Sequence, residues 1–229
     1  DYDYMKKTKY DWWVNRIKHL SKLYDLIRID HFRGLESFFA VPYGDKTVKN
    51  GVWIKGPGME IFEEFYANGI KNLILEDLGD ISYAVKALRR RTGLAGMKVM
   101  QFAFDYNTKS THMPHDYEKN SVAYLGTHDN DTFMGFLENI EKKNKFCEYF
   151  HISKDTPNDV VTKIAIENLL STNSNVCILQ MQDILFEGSE ARINTPGVAK
   201  GNWIYKLNPN YRQSEYNKYL KELIKIKNR

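Results

Sequence analysis

Three short segments of this chain run from apolar residues into a carboxylate. "LIRIDHFRG" (26–34) brings Arg28, Asp30 and His31 together, "LILEDLG" (73–79) leads to Glu76, and "YLGTHDND" (124–131) leads to His128 and Asp129. Two carboxylates can serve as nucleophile and general acid/base in retaining glycosyl transfer when their carboxyls lie about 5–5.5 Å apart. The nucleophile must stay ionised, and Arg28, two residues before Asp30 on the same strand face, is placed to keep it so. The acid/base needs a raised pKa, which apolar surroundings or neighbouring carboxylates provide. A third acid would stabilise a cationic, oxocarbenium-like transition state or grip sugar hydroxyls. His31 and His128 are suited to hydrogen-bonding those hydroxyls.

Plainer readings stand beside this one. An Asp after a strand is commonly a turn or cap residue, and a single His is commonly structural. Asp30, His31, His128 and Asp129 could also ligate a cation. Phosphate chemistry has less support: "GPG" at 56–58 is a turn, and no GxGxxG loop occurs.

The elements that must hold these residues alternate. Helical spacing of Trp13, Ile17, Leu20 and Tyr24 predicts a helix from Tyr10 to Tyr24. "YDLIRID", "IKNLILED", "MKVMQFAF", "NSVAYLGTHDND" and "NVCILQMQDIL" read as strands. Between and after them lie "MEIFEEFYANG", with a terminal Gly69, and "YAVKALRRRTG", capped by Ser82 and closed by Gly93. "TPNDVVTKIAIENLLS" follows with Pro157 in its first turn, then "SEYNKYLKELIKIKNR", capped by Ser214. The last helix should pack through Tyr216, Leu220, Leu223 and Ile224.

Alternation of strands and helices predicts an α/β fold of parallel βαβ units. Apolar runs without alternation fit strands covered on both faces. Strand starts near Leu26, Asn72, Met97, Ser121 and Val176 include two tight steps, close to the roughly 30 residues per unit of a (β/α)₈ barrel. The expected architecture is therefore strands four to eight of such a barrel. Residues 1–229 would form the C-terminal portion of one such barrel, whose front strands are absent from this chain. Active sites of these barrels sit at the C-terminal strand ends, so the three acids should converge over one mouth.

Composition narrows the class. The 229 residues are 42% hydrophobic and 27% charged, as in ordinary globular proteins. No apolar run is long enough to span a membrane, and the first residues have no signal-peptide core. The absence of an initiator Met reads as a start within a longer protein or after processing. Net charge is +4, but lysines are scattered among acids, which argues against a nucleic-acid footprint. Cys147 and Cys177 are too distant in sequence to suggest a disulfide framework or a zinc site, and a reducing cytoplasm fits best. No cofactor or metal is expected.

Six motifs in order, "RIDHFRG", "KGPG", "EDLG", "GMKVMQFAF", "GTHDNDT" and "EARINTPG" followed by "GNW", resemble the 4-α-glucanotransferases (amylomaltases) of glycoside hydrolase family 77 in the α-amylase superfamily. The resemblance runs from "YDWW" to "GNW"; Leu75, where Ala is familiar, is a minor departure. It implies Asp30 as nucleophile, Glu76 as general acid/base and Asp129 as the third acid. It further implies Arg28, His31 and His128 as sugar-binding and nucleophile-supporting residues, and Asn194 and Pro196 as acceptor-side contacts. The implied substrates are α-1,4-glucans and maltooligosaccharides, transferred through a covalent glucosyl-enzyme with retained configuration. The alternatives are an α-amylase-type hydrolase, separable by its products, and a non-catalytic glucan-binding fragment. Family members are about twice this long, which implies that residues 1–229 are the C-terminal portion of one catalytic barrel whose N-terminal strands and inserted subdomains are absent from this chain, so the missing front of the barrel is itself an expected partner. The purified 229-residue chain should show little or no maltotriose disproportionation, and ready formation of longer glucans would overturn this.

Overall fold

Each acid-bearing segment of the sequence becomes a short parallel strand followed by a turn. The computed structural model describes residues 1–79, 81–105, 112–213 and 215–228. The chain divides into two compact units, residues 1–97 and 98–229.

The first unit begins with α1 (Tyr2–Lys7) and α2 (Asp11–Leu20). The helix expected to reach Tyr24 stops at Leu20. Leu23 and Tyr24 are exposed, so continuing the helix would bury no further apolar surface, and the chain closes in single turns through Leu23 N to Leu20 O. β1 (Ile27–Ile29) follows, then an excursion of β2 (Ser37–Ala40) and β3 (Val52–Lys55), which pair antiparallel. The sequence patterns above assign no strand to either arm of this hairpin.

Next come α3 (Met59–Ala67), β4 (Leu73–Leu75), α4 (Tyr83–Thr92) and β5 (Ala95–Val99). β1 pairs parallel with β4, Ile29 opposite Leu75, and β4 pairs parallel with β5, Leu75 opposite Gly96. All three residues of β4 are buried, as expected of a strand covered on both faces. Ile17, Phe32, Ile61, Phe62, Leu75 and Val85 form the centre of this core. Both predicted ends of α4 hold: Ser82 Oγ accepts from Val85 N at 3.3 Å, and Gly93 takes φ +67°.

The second unit contains α5 (Gln101–Asp105), β6 (Ser121–Tyr124), α6 (Phe133–Leu137), α7 (Ile140–Tyr149), α8 (Asn158–Leu170), β7 (Val176–Ile178), α9 (Met181–Ile184) and α10 (Glu215–Ile226). β6 and β7 pair parallel, Ala123 opposite Cys177. "MKVMQFAF" and "NVCILQMQDIL" are each half strand and half helix. Apolar content alone does not separate a buried strand from a buried helical turn. Met100 N and Gln101 N still bond to Tyr124 O and Leu125 O, and then Ala103 N turns back to Met100 O.

Phe133, Phe146, Val161, Ala165 and Leu169 centre this unit's core. Leu223 of α10 is buried in it, with Leu220 and Ile224 packed alongside, while Tyr216 places its ring 4.5 Å from Phe186. The expected cap, Ser214, lies outside the described residues. Among the described residues, no helix is long and apolar enough to cross a membrane.

One carboxylate is wholly enclosed here. Asp183 on α9 is 1% exposed and accepts from Phe133 N, at the start of α6, at 2.6 Å. Burial, opposed by that hydrogen bond and reinforced by the charge of Asp131, raises its pKa from 3.8 to about 7. Between those values the folded state holds the extra proton, so unfolding free energy should fall as pH rises through this window. Thermal unfolding across it should show this slope, and Asp183→Asn should flatten it. Asp183→Ala strands the Phe133 N–H in the core and should cost about 1–3 kcal/mol.

Candidate active site

In the first unit the end of β1 is bound to the end of β4 residue by residue. Glu76 N donates to Ile29 O at 3.0 Å, and Phe32 N donates to Glu76 O at 3.2 Å. The Glu76 side chain then folds back across the same junction. Its Oε2 accepts from His31 N at 2.7 Å and its Oε1 from Leu78 N at 3.0 Å. His31 has φ +47°, a left-handed conformation uncommon outside glycine, and its N–H bond to the carboxylate helps hold it there.

Asp30, one residue past β1, projects into solvent with its side chain 81% exposed, and Arg28 Nη2 lies 2.5 Å from its Oδ1. The half-buried Glu76 carboxyl sits above its usual range. Desolvation is the largest cause and Asp30's charge adds to it, while the Leu78 and His31 N–H groups and Arg28 pull the other way. Asp30, Arg28, His31 and Glu76 are thus brought into one cluster. An exposed carboxylate beside a half-buried, more basic one is a division of labour suited to nucleophile and proton donor.

Behind Glu76, Asp77 fixes the strand end. Its Oδ1 accepts from Met97 N at 2.7 Å, and its Oδ2 lies 3.1 Å from Arg89 Nε, both side chains largely buried. The carboxylate stands over Gly96, where an added Cβ would come within 2.6 Å of Oδ2.

In the second unit, the turn after β6 carries His128 and Asp129. Asp129 Oδ1 accepts from Asn194 Nδ2 at 2.5 Å, and its Oδ2 lies 3.4 Å from His128 Nε2. Arg192 clamps the same turn, donating through Nη2 to Asp129 O at 2.7 Å and through Nε to Asn194 O at 2.9 Å. Pro196 is exposed in a turn closed by Val198 N to Thr195 O, with Gly197 at φ +80° as a Pro-Gly turn requires. His128, Asp129 and Asn194 therefore form a second cluster, with Pro196 on the neighbouring turn.

The sequence reading passes over Asp77, Arg89, Arg192 and Trp203. Three of them stand inside quoted motifs, "EDLG", "EARINTPG" and "GNW", which was the available signal. Arg89 gave none, since an Arg in the last turn of a helix is ordinary. Among the described residues, no group of three or more His, Cys, Asp and Glu side chains could hold a metal ion.

A family model described as 4-alpha-glucanotransferase matches residues 1–212. The chain belongs to the 4-alpha-glucanotransferase family. Among its relatives, the 4-alpha-glucanotransferase of Clostridium butyricum is 42% identical over 99% of this chain and 47% of its own length. That of Aquifex aeolicus is 37% identical over 96% of this chain and 45% of its own. The structure of amylomaltase from Streptococcus agalactiae in complex with acarbose superposes with a TM-score of 0.92 at 34% identity, covering all of this chain and 46% of that one. The expected fold class holds: a mixed α/β chain with parallel strands, matching part of a (β/α)₈ barrel. The chain spans about half the length of these 4-alpha-glucanotransferases.

The contact over Gly96 can be tested directly. Gly96→Ala forces a Cβ into a carboxylate that Met97 N and Arg89 hold in place, and overpacking of this kind should cost about 1–3 kcal/mol in a denaturant melt. Gly96→Ala combined with Asp77→Gly, which vacates the space, should lose less than the two single changes added together.

Proposed function

We propose that the protein carrying this chain is a 4-α-glucanotransferase that moves segments of α-1,4-glucan between maltooligosaccharides with retention of configuration. The observation that carries the reading is the pair at the ends of β1 and β4: Asp30 exposed and held by Arg28, Glu76 half-buried with its proton affinity raised. The names of the relatives support the same activity.

In this reading Asp30 attacks the anomeric carbon while Glu76 gives its proton to the departing glycosidic oxygen, leaving a β-glucosyl-enzyme. Glu76, now a carboxylate, takes the proton from the 4-hydroxyl of an acceptor glucan, which attacks the same carbon and frees Asp30. Arg28 holds positive charge at the nucleophile. Asp129 supplies the third acid, His31 and His128 bind sugar hydroxyls, and Asn194 and Pro196 contact the acceptor side. Residues 1–229 act as part of one catalytic barrel, completed by the further length that the relatives carry. The outer edge of β1 has no strand partner among the described residues, which supports that requirement. A cytoplasmic setting accords with two free cysteines, one of them buried.

The test uses the complete protein with maltotriose, read by chromatography. Wild type should yield glucose and a ladder of longer maltooligosaccharides, and Asp30→Asn should lose about 10³-fold or more. Glucose and maltose without the ladder would mean hydrolysis instead, and an Asp30→Asn protein with substantial activity would remove the nucleophile assignment. The alkaline limb of kcat/KM should lie above the ordinary glutamate range, because Glu76 must begin protonated, and Glu76→Gln should abolish that limb together with most of the rate.

A further inference from the structure

Trp203 is a large apolar side chain kept out of the core. It is 65% exposed, yet its backbone sits at φ +61°, a left-handed conformation that strains a bulky residue. Specific bonds hold it there. Trp203 N donates to Ile193 O at 2.8 Å, and the adjacent Asn202 side chain accepts from Thr195 N at 2.9 Å and donates to Val198 O at 2.8 Å. The same loop is tied to the acid by Arg192 and Asn194, which bond to Asp129. The Trp203 backbone is therefore held relative to Asp129, and the indole centroid lies 5.4 Å from the His128 imidazole, the planes tilted by 36°. Burial does not account for a strained backbone that presents a ring to solvent beside two hydrogen-bonding groups.

We propose that Trp203 is a sugar-binding platform: a glucosyl ring of the bound glucan lays its C–H face on the exposed indole while His128 and Asp129 take hydroxyls at its rim. A pyranose has one face of C–H bonds and an edge of hydroxyls. A site for it needs a flat apolar surface with a few placed polar groups beside it, and this arrangement supplies both. The proposal rests on the glucan-transfer reading and adds to it a residue that reads the ring rather than the hydroxyls.

The experiment uses the complete protein with Asp30→Asn, so that ligand is bound but not consumed, titrated with maltotetraose by calorimetry. Trp203→Ala in that background should weaken binding about tenfold, the size of a truncated aromatic anchor. Trp203→Phe should restore it to within roughly threefold, since a smaller ring still offers a stacking face. Equal binding by the Ala variant overturns the proposal and leaves the transfer reading standing. Ala and Phe variants that are equally weak, with lowered thermal stability, overturn it in favour of a structural role. If the Asp30→Asn protein with Trp203 intact binds no glucan, the transfer reading itself fails and the proposal falls with it.

Discussion

The carboxylate and backbone of Glu76 together join the ends of two parallel strands. Its amide donates to Ile29 O, its carbonyl accepts from Phe32, and its two carboxylate oxygens accept from His31 N and Leu78 N. A side chain anchored this way cannot swing, and the residue that follows Asp30 is fixed by the same anchor. The geometry of the first cluster therefore depends on a group that must also carry a proton in the proposed chemistry. Burial raises its pKa and the two N–H donors lower it, and burial wins. Stronger backbone bonding alone would have favoured a permanently ionised carboxylate, fit for a cap but poor as an acid.

The second cluster is built by a different device. Asp129 is held by side chains that arrive from a loop 63 and 65 residues further along, Arg192 and Asn194. Long-range side-chain clamps fix a turn without a strand ladder, and a single loop thereby positions the acid, the amide beside it and the indole of Trp203. The loop carries its own internal bonds through Asn202, and the buried Gln182 anchors its start by donating to Ala191 O.

Both units lean on buried polar groups that are satisfied locally. Asp77 bridges Met97 N and Arg89, and Asp183 caps the start of α6. Each is a carboxylate whose removal leaves a donor stranded, so each constrains its neighbours more than an apolar residue of equal volume would. Asp77 also explains the glycine in the facing strand, since no larger residue leaves room for its carboxylate.

The alternation of apolar runs and helices, the caps at Ser82 and Gly93 and the three carboxylates at strand ends were all legible in the residue order. They depend on period, local turn chemistry and residue type, which act over a few positions. The helical halves of "MKVMQFAF" and "NVCILQMQDIL" were not, because an apolar run is compatible with either structure until its neighbours take up the backbone bonds. Nor was the antiparallel pairing of Phe39 with Trp53 in the hairpin between β1 and α3, since neither arm carries a strand pattern of its own and each becomes a strand only through the other. Sequence alone thus determined which groups stand at the strand ends and the kind of chemistry they suit. Tertiary structure decided which carboxyl is exposed and which is half-buried, and that Arg192 and Trp203 meet the turn at Asp129. Those outcomes follow from solvent exclusion and from contacts between residues far apart in the chain, which local pattern does not encode.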